Sequence, residues 1–229
     1  MADSSAAKLT ELQAVNRMLA AIGQSPITQA GLTAASNPDV AMAKETLYEV
    51  SRQIQAEGWA FNKECNVIMP VDTNGEITIT GNIMQIDAAT YNYRGRSSVS
   101  NYYDSSYSTM SQNANYDLIM KNGKVYDKRN KTTKFDGPIQ CDVIYYRVFT
   151  DCPPSIQYYI SDAASMVLCQ RIIGDGDMYR MLSQRVEESR TYALQYETVQ
   201  GDYSFFGSPV GGKYYVPYEP FDTLRRGWN

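Results

Sequence analysis

Residues 9–26, Leu-Thr-Glu-Leu-Gln-Ala-Val-Asn-Arg-Met-Leu-Ala-Ala-Ile-Gly-Gln-Ser-Pro, and residues 52–62, Arg-Gln-Ile-Gln-Ala-Glu-Gly-Trp-Ala-Phe-Asn, decide the fold. In the first, Leu9, Leu12, Val15, Leu19 and Ile22 recur at steps of three and four, which puts them on one helix face. Thr10 followed by Gln13 fits a capping box. Gly23 suits the left-handed residue that ends a helix, and Pro26 forbids its resumption. The second segment closes a helix that opens at Asn37-Pro38-Asp39, an N-cap, a preset first position and an acid at the positive dipole end. Its buried stripe is Ala43, Leu47, Val50 and Ile54, and Gly58 stops it. Trp59 and Phe61 follow, two large apolar groups that can plug the end of a helical hairpin, with core packing the simplest role for Trp59.

Beyond this hairpin the period changes. From Cys65 to Thr150 the runs Val67–Met69, Ile77 with Ile79, Leu118–Met120, Val125 with Tyr126 and Cys141–Tyr146 are short and rich in β-formers. Asp72-Thr73-Asn74-Gly75, Asn122-Gly123 and Asp136-Gly137-Pro138 bound them as turns, and Asn122-Gly123 predicts a two-residue hairpin. These runs predict an antiparallel sheet or small barrel. Residues 91–116 interrupt it with Tyr, Ser and Asn and almost no aliphatic residue, a mix shared by binding loops and by plain low-complexity loop. Helices return at Pro153-Pro154-Ser155, with a stripe of Ile156, Ile160, Ala163, Val167 and Ile172. Gly174-Asp175-Gly176-Asp177 reverses the chain into a fourth helix carrying Leu182, Val186, Ser189, Ala193 and Tyr196. That reversal is no nucleotide fingerprint, because Tyr179 stands at the third glycine position and a helix precedes it.

The expected fold is α+β: a bundle of four main helices in two hairpins, an inserted antiparallel β domain and an extended C-terminal arm. The boundaries read 1–62 for the first hairpin, 63–150 for the β domain, 151–201 for the second hairpin and 202–229 for the arm. The arm contains Tyr214, Tyr215, Tyr218, Phe221, Arg225, Arg226 and Trp228, residue types that dominate interface hot spots. It reads as a segment that orders against a partner, the alternative being that it packs on its own domain.

Composition narrows the chemistry. The chain contains no histidine, which removes Ser-His-Asp and Cys-His catalysis and any His-ligated metal. Cys65, Cys141, Cys152 and Cys169 are widely spaced with no CxxC, and read as buried small hydrophobes in a reducing compartment. No metal or cofactor is called for. No apolar run approaches a membrane span, and no charged-then-apolar leader pattern opens the sequence. The net charge of −4 argues against non-specific nucleic-acid binding by the chain as a whole. Against that trend, Lys121, Lys124, Lys128, Arg129, Lys131 and Lys134 concentrate positive charge on the predicted hairpin and the loop after it. They read as a solvated face, a surface for an acidic neighbouring subunit, or a contact to DNA.

A set of residues along the chain carries a family likeness. In the first hairpin it comprises Leu12, Val15, Asn16, Leu19, Ile22, Gly23 and Pro26, then Arg52, Gln53, Ile54, Gln55, Gly58, Trp59, Phe61 and Asn62. The β region adds Gly123, Val125, Tyr126, Asp127, Phe135 and Asp136. The second hairpin adds Pro153, Ile160, Ala164, Ser165, Glu188, Tyr196, Glu197 and Gly201. In order and motif the chain resembles the tail tubular protein A family of short-tailed, T7-like bacteriophages over residues 9–203, with the Tyr/Ser/Asn stretch as an insertion.

The resemblance implies a non-enzymatic virion protein, made in the host cytoplasm and built into the phage tail at the head-to-tail interface. It implies a twelve-membered homo-oligomeric ring joining the portal protein to the tail nozzle, tail tubular protein B, with phage DNA passing through during ejection and not bound specifically. Within that picture Tyr102, Tyr103 and Tyr107 are expected to contact a neighbouring subunit or the nozzle, and the aromatic arm to make inter-subunit or portal contacts. Two other readings stay open. One is a carboxylate-dependent hydrolase of host envelope glycans, for which Glu187 and Glu188 are poor candidates because adjacent helical residues point apart. The other is a DNA-binding module using the basic hairpin at 121–134.

Overall fold

A computed structural model describes residues 8–34, 37–79, 81–88 and 116–200, together with the backbone of two short strands at 209–210 and 214–215. The chain divides into two compact units, Met1–Leu47 with Pro153–Asn229, and Tyr48–Cys152. Helix and antiparallel sheet are mixed, as an α+β fold requires.

The first unit is helical. It contains α1 (Glu11–Ala21), the short α2 (Gln29–Ala34), the first part of α3 (Pro38–Gln55), α4 (Pro154–Ile172) and α5 (Gly176–Gln200). The start of α1 is the expected capping box: the Gln13 amide donates to Thr10 Oγ1 at 3.2 Å and the Thr10 amide to Gln13 Oε1 at 2.9 Å. Its end is a Schellman turn. Gly23 at φ +76° lets its own amide reach Ala20 O and the Gln24 amide reach Leu19 O. Asn37 caps α3 by accepting the Asp39 amide at 3.0 Å. The sequence signals gave no hint of α2, whose six residues bury only Leu32.

Helix α4 lies against both α1 and α5 and is buried on most sides, at Ile156, Gln157, Tyr159 through Ser165, Leu168 and Cys169. A helix buried on most sides leaves little water for an acid on its inner faces, so its one buried acid must be paired. Asp162 receives Arg17 of α1 at 2.7 Å and Arg185 of α5 at 3.1 Å, so one carboxylate ties three helices. Arg17 also lies over the Tyr158 ring, 5.0 Å from its centroid. Arg171, near the end of α4, donates to Thr46 Oγ1 of α3 at 3.0 Å.

The second unit holds β1 (Lys63–Met69), β2 (Ile83–Ala88), β3 (Leu118–Lys121), β4 (Lys124–Asp127) and β5 (Ile139–Tyr145), followed by a 3-10 turn at Phe149–Asp151. Among the described residues the ladders form a three-stranded antiparallel sheet in the order β1-β5-β2 and a separate pair β3-β4, two sheets in place of a closed barrel. The strand β2 was not foreseen, because a register shift between Ile83 and Gln85 breaks the alternation that marks a half-buried strand. Ile77 and Ile79, expected in a strand, make only isolated bridging contacts: the Val125 amide donates to Ile77 O and the Ile79 amide to Gly123 O. Met69, Ile77, Ile86, Leu118, Val125 and Phe135 join Ile139, Cys141 and Val143 in one core. Cys141, Cys152 and Cys169 are buried as expected, but Cys65 is exposed, since the first four residues of β1 face outward.

The segment after α3 is a buried polar knot. Gly58 has φ +78°, and a Cβ there would lie 2.6 Å from Ile144 Cδ1, so both backbone and packing call for glycine. Trp59 is core, with its indole N–H donating to Ile54 O at 2.8 Å. Asn62, fully buried, accepts the Trp59 amide at 2.8 Å and donates to Gln55 O at 2.9 Å and Tyr145 O at 3.0 Å. Gln55 accepts the Arg147 amide at 2.8 Å and donates to Arg147 O at 2.9 Å, holding both main-chain groups of one residue.

Two other amides do the same in the helical unit. Asn16 grips Ile27, accepting its N–H at 2.8 Å and donating to its C=O at 3.1 Å. Gln157 grips Leu9, at 2.8 Å and 3.3 Å. Each clamp closes a loop whose backbone would otherwise lack partners.

The last described elements are β6 (Pro209–Val210) and β7 (Tyr214–Tyr215), which pair antiparallel.

Candidate functional site

The basic cluster of the sequence folds into one local structure. Asn122 and Gly123 take φ +53° and +73°, the two positive values of a type I′ turn, and Lys121 pairs with Lys124 across it. After β4 the chain makes a tight loop whose organiser is Asp127. This carboxylate is fully buried and accepts the amides of Asp117 at 3.1 Å, Arg129 at 3.0 Å and Asn130 at 3.3 Å, and the Asn130 side-chain amide at 2.6 Å. Asp127 and Thr132 exchange both main-chain hydrogen bonds, which closes the loop.

The six cations differ in what they meet. Lys124 is ion-paired and hydrogen-bonded to Glu76, which also accepts from Thr133 Oγ1 at 2.9 Å. Lys128 lies 3.5 Å from Asp117, both side chains more than half exposed. Lys121 sits over the Tyr126 ring, 4.5 Å from its centroid. Arg129, Lys131 and Lys134 are exposed, Lys131 at φ +54°. All six lie on this hairpin and the loop after it, and the acids that neutralise or arrange them, Glu76, Asp117 and Asp127, had no part in the sequence reading of the cluster. The signal was present, since Asp127 directly follows the strand run Val125-Tyr126.

The Glu76 carboxyl is held below the usual glutamate range, first by Lys124 and then by the Thr133 hydroxyl. The neighbouring Asp72 is lowered too, chiefly by the Glu76 amide. A carboxyl whose folded pKa is depressed stabilises above its unfolded pKa and loses that contribution as pH falls through the folded value. Acid titration followed by carboxyl-carbon NMR should therefore show Glu76 protonating at a lower pH in the folded protein than in the urea-unfolded chain. Loosening of the Lys124 and Thr133 contacts should come only as Glu76 protonates. Titration of Glu76 at the same pH in both states would refute the pairing. Glu187 and Glu188 are exposed on α5.

The expected contact residues Tyr102, Tyr103 and Tyr107 lie outside the described residues, as do Tyr218, Phe221, Arg225, Arg226 and Trp228. Tyr214 and Tyr215 form β7. Among the described residues, no group of three or more His, Cys, Asp or Glu side chains is placed to hold a metal. No helix among them is long and apolar enough to cross a membrane.

Comparison with known families matches the chain to the Tail tubular protein family over residues 12–109 and 91–203. Both matched ranges reach into the Tyr/Ser/Asn stretch, and together they run from the capped first helix to the end of α5 and just beyond. No curated protein matches the chain. Members of this family are structural components of phage tails that assemble with other tail proteins. The family match spans most of the sequence and includes the knot after α3 and the hairpin at Gly123, so the chain belongs to the tail tubular protein family and is a structural component of a phage virion.

Proposed function

We propose that the protein is a head-to-tail adaptor: a ring of identical copies, twelve by resemblance to the tail tubular protein A family, that joins the portal to the tail nozzle and lines part of the DNA conduit. The observation that carries this reading is the family match over residues 12–203. Two physical features support it. A net charge of −4 suits a passage through which DNA slides without sticking, because phosphate neutralisation is what makes binding tight. The basic loop is also partly neutralised from within, Lys124 by Glu76 and Lys128 by Asp117, which fits a subunit-facing surface better than a phosphate track. In this reading Lys121, Arg129, Lys131 and Lys134 meet the acidic surface of an adjacent copy. Tyr102, Tyr103 and Tyr107 meet a neighbour or the nozzle, and the arm from Tyr214 to Trp228 makes inter-subunit or portal contacts.

The test is incorporation. Purified protein added to portal-containing capsids should assemble onto the vertex and appear as a ring by electron microscopy. Deletion of residues 204–229 should reduce incorporation at least about tenfold, the loss of one or two hot-spot side chains. Unchanged incorporation would remove the arm from the assembly mechanism.

A further inference from the structure

The β unit carries opposite charge on its two outer faces. Cys141, Val143 and Ile86 of the three-stranded sheet share one core with Leu118 and Val125 of the β3-β4 pair. Strand alternation therefore turns the intervening residues away from that core, in opposite directions for the two sheets. On β3-β4 the outward positions hold Lys121, Lys124 and Tyr126, with Lys121 over the Tyr126 ring. The loop at 128–134 continues from this pair and adds the exposed Arg129, Lys131 and Lys134. Asp127 fixes that loop from within, so its cations are carried on a preset backbone.

On the three-stranded sheet the outward positions include Asp142 of β5 and Asp87 of β2, which stand directly opposite each other in the ladder. Like charges so placed disfavour the sheet that bears them. Both carboxylates are nonetheless held in position. Asp142 accepts the Asn66 amide at 3.0 Å, and Asn66 takes φ +57° at the bulge between Glu64 and Val67. Asp87 accepts the Ala88 amide at 2.8 Å. Ile68, 59% exposed, lies on the same face across from Gln140. At its other end the face is closed where Ile144 meets Gly58, and Lys63 stands opposite Ile144. One lysine against two aspartates leaves the face net acidic.

We propose that Asp87 and Asp142 of one copy receive the loop at 128–134 of the next. The inference rests on the ring assembly proposed above and names its missing half, the acidic surface that the basic loop meets. Charge complementarity selects the occupant, since a fixed basic loop and a fixed aspartate pair are matched in sign. Their placement makes the occupant a second copy. Loop and aspartates lie on opposite sides of one core, so a chain's own loop is turned away from its own pair. Each copy then uses its loop on one neighbour and its sheet on the other. Such head-to-tail contacts are heterologous, and they form a ring when the rotation closes. The arriving cations also offset the repulsion between the two facing aspartates.

The test is a charge swap in full-length chains added to portal-containing capsids. One variant carries Asp87→Lys and the other Lys131→Glu with Lys134→Glu, all at exposed positions. Each variant alone sets like charges together at every junction. It should join capsids at least about tenfold less than the unmodified chain. Mixed in equal amounts, the two variants can alternate around the ring with opposite charges at each junction. Incorporation should then return to within about threefold of the unmodified level, a recovery that no folding defect would show. Carbodiimide joins a carboxylate to a lysine amine with loss of water. Applied to unmodified chains on capsids, it should link Lys131 or Lys134 of one chain to Asp87 or Asp142 of another. Full incorporation of either variant alone, no recovery in the mixture, or coupling of the loop to a different tail protein would each overturn the contact. Failure of the unmodified chain to join capsids would overturn the adaptor reading itself, and the contact with it.

Discussion

Replacement of Asn62 by alanine should destabilise the protein by about 3–5 kcal/mol, a large fraction of the stability of a domain this size. The residue is fully buried and joins three main-chain groups: it accepts from the Trp59 amide and donates to the carbonyls of Gln55 and Tyr145. Gln55 O keeps the Gly58 amide at 3.1 Å, but the Trp59 amide and Tyr145 O lose the Asn62 side chain, and a buried group that loses its partner costs about 1–3 kcal/mol. Asn62→Asp should fare little better, since a carboxylate keeps the bond from Trp59, loses both donors and buries a charge. Urea unfolding followed by tryptophan fluorescence measures both, because Trp59 sits inside the knot. A midpoint shift equivalent to less than about 1 kcal/mol for the alanine variant would show that the three groups find other partners.

Replacement of Asp127 by alanine is the second large expected effect, about 2–4 kcal/mol, and it should be local as well as global. Four donors converge on this buried carboxylate, from Asp117, Arg129 and the main chain and side chain of Asn130. Without it the loop at 128–134 loses its organiser, and hydrogen exchange at Arg129 and Asn130 should rise before exchange in β1 and β5 does. Asp127→Asn should cost about half as much, because its carbonyl oxygen still accepts main-chain amides. Equal exchange throughout the unit in the alanine variant would mean that the loop is held from elsewhere. If the proposed ring is right, the alanine variant should also assemble less well, since that proposal turns Arg129, Lys131 and Lys134 toward a neighbouring copy.

The features legible in the sequence are those with a local cause. The capping box at Thr10, the glycine stop at Gly23, the Asn37 cap and the Asn122-Gly123 turn depend on a few adjacent residues, and each is found where the pattern puts it. What escaped depends on distant partners. The strand β2 lost its alternation to a bulge imposed by pairing with β5. Asp162, in the middle of α4, sits on a helix whose burial comes from two neighbours, and periodicity has no means of showing a helix buried on most sides. Gln55 and Gln157 are fully buried, although an amphipathic reading assigns glutamine to the wet side. The candidate contact surfaces were visible as composition only, aromatic in the arm and basic at the hairpin. The acids that tame the basic hairpin came from Glu76 and Asp117, on either side of a long stretch of chain.

The three amide clamps have a consequence for how the protein tolerates change over time. A side chain that grips a main chain is blind to the identity of the residue it grips. Leu9, Ile27 and Arg147 are free to drift as far as these bonds are concerned, while Asn16, Gln55 and Gln157 are held to an amide, the one group that both gives and takes a hydrogen bond in that geometry. Even their acids are excluded, so deamidation, which replaces the donating NH2 with an oxygen, would turn each clamp from attraction to repulsion at the gripped carbonyl.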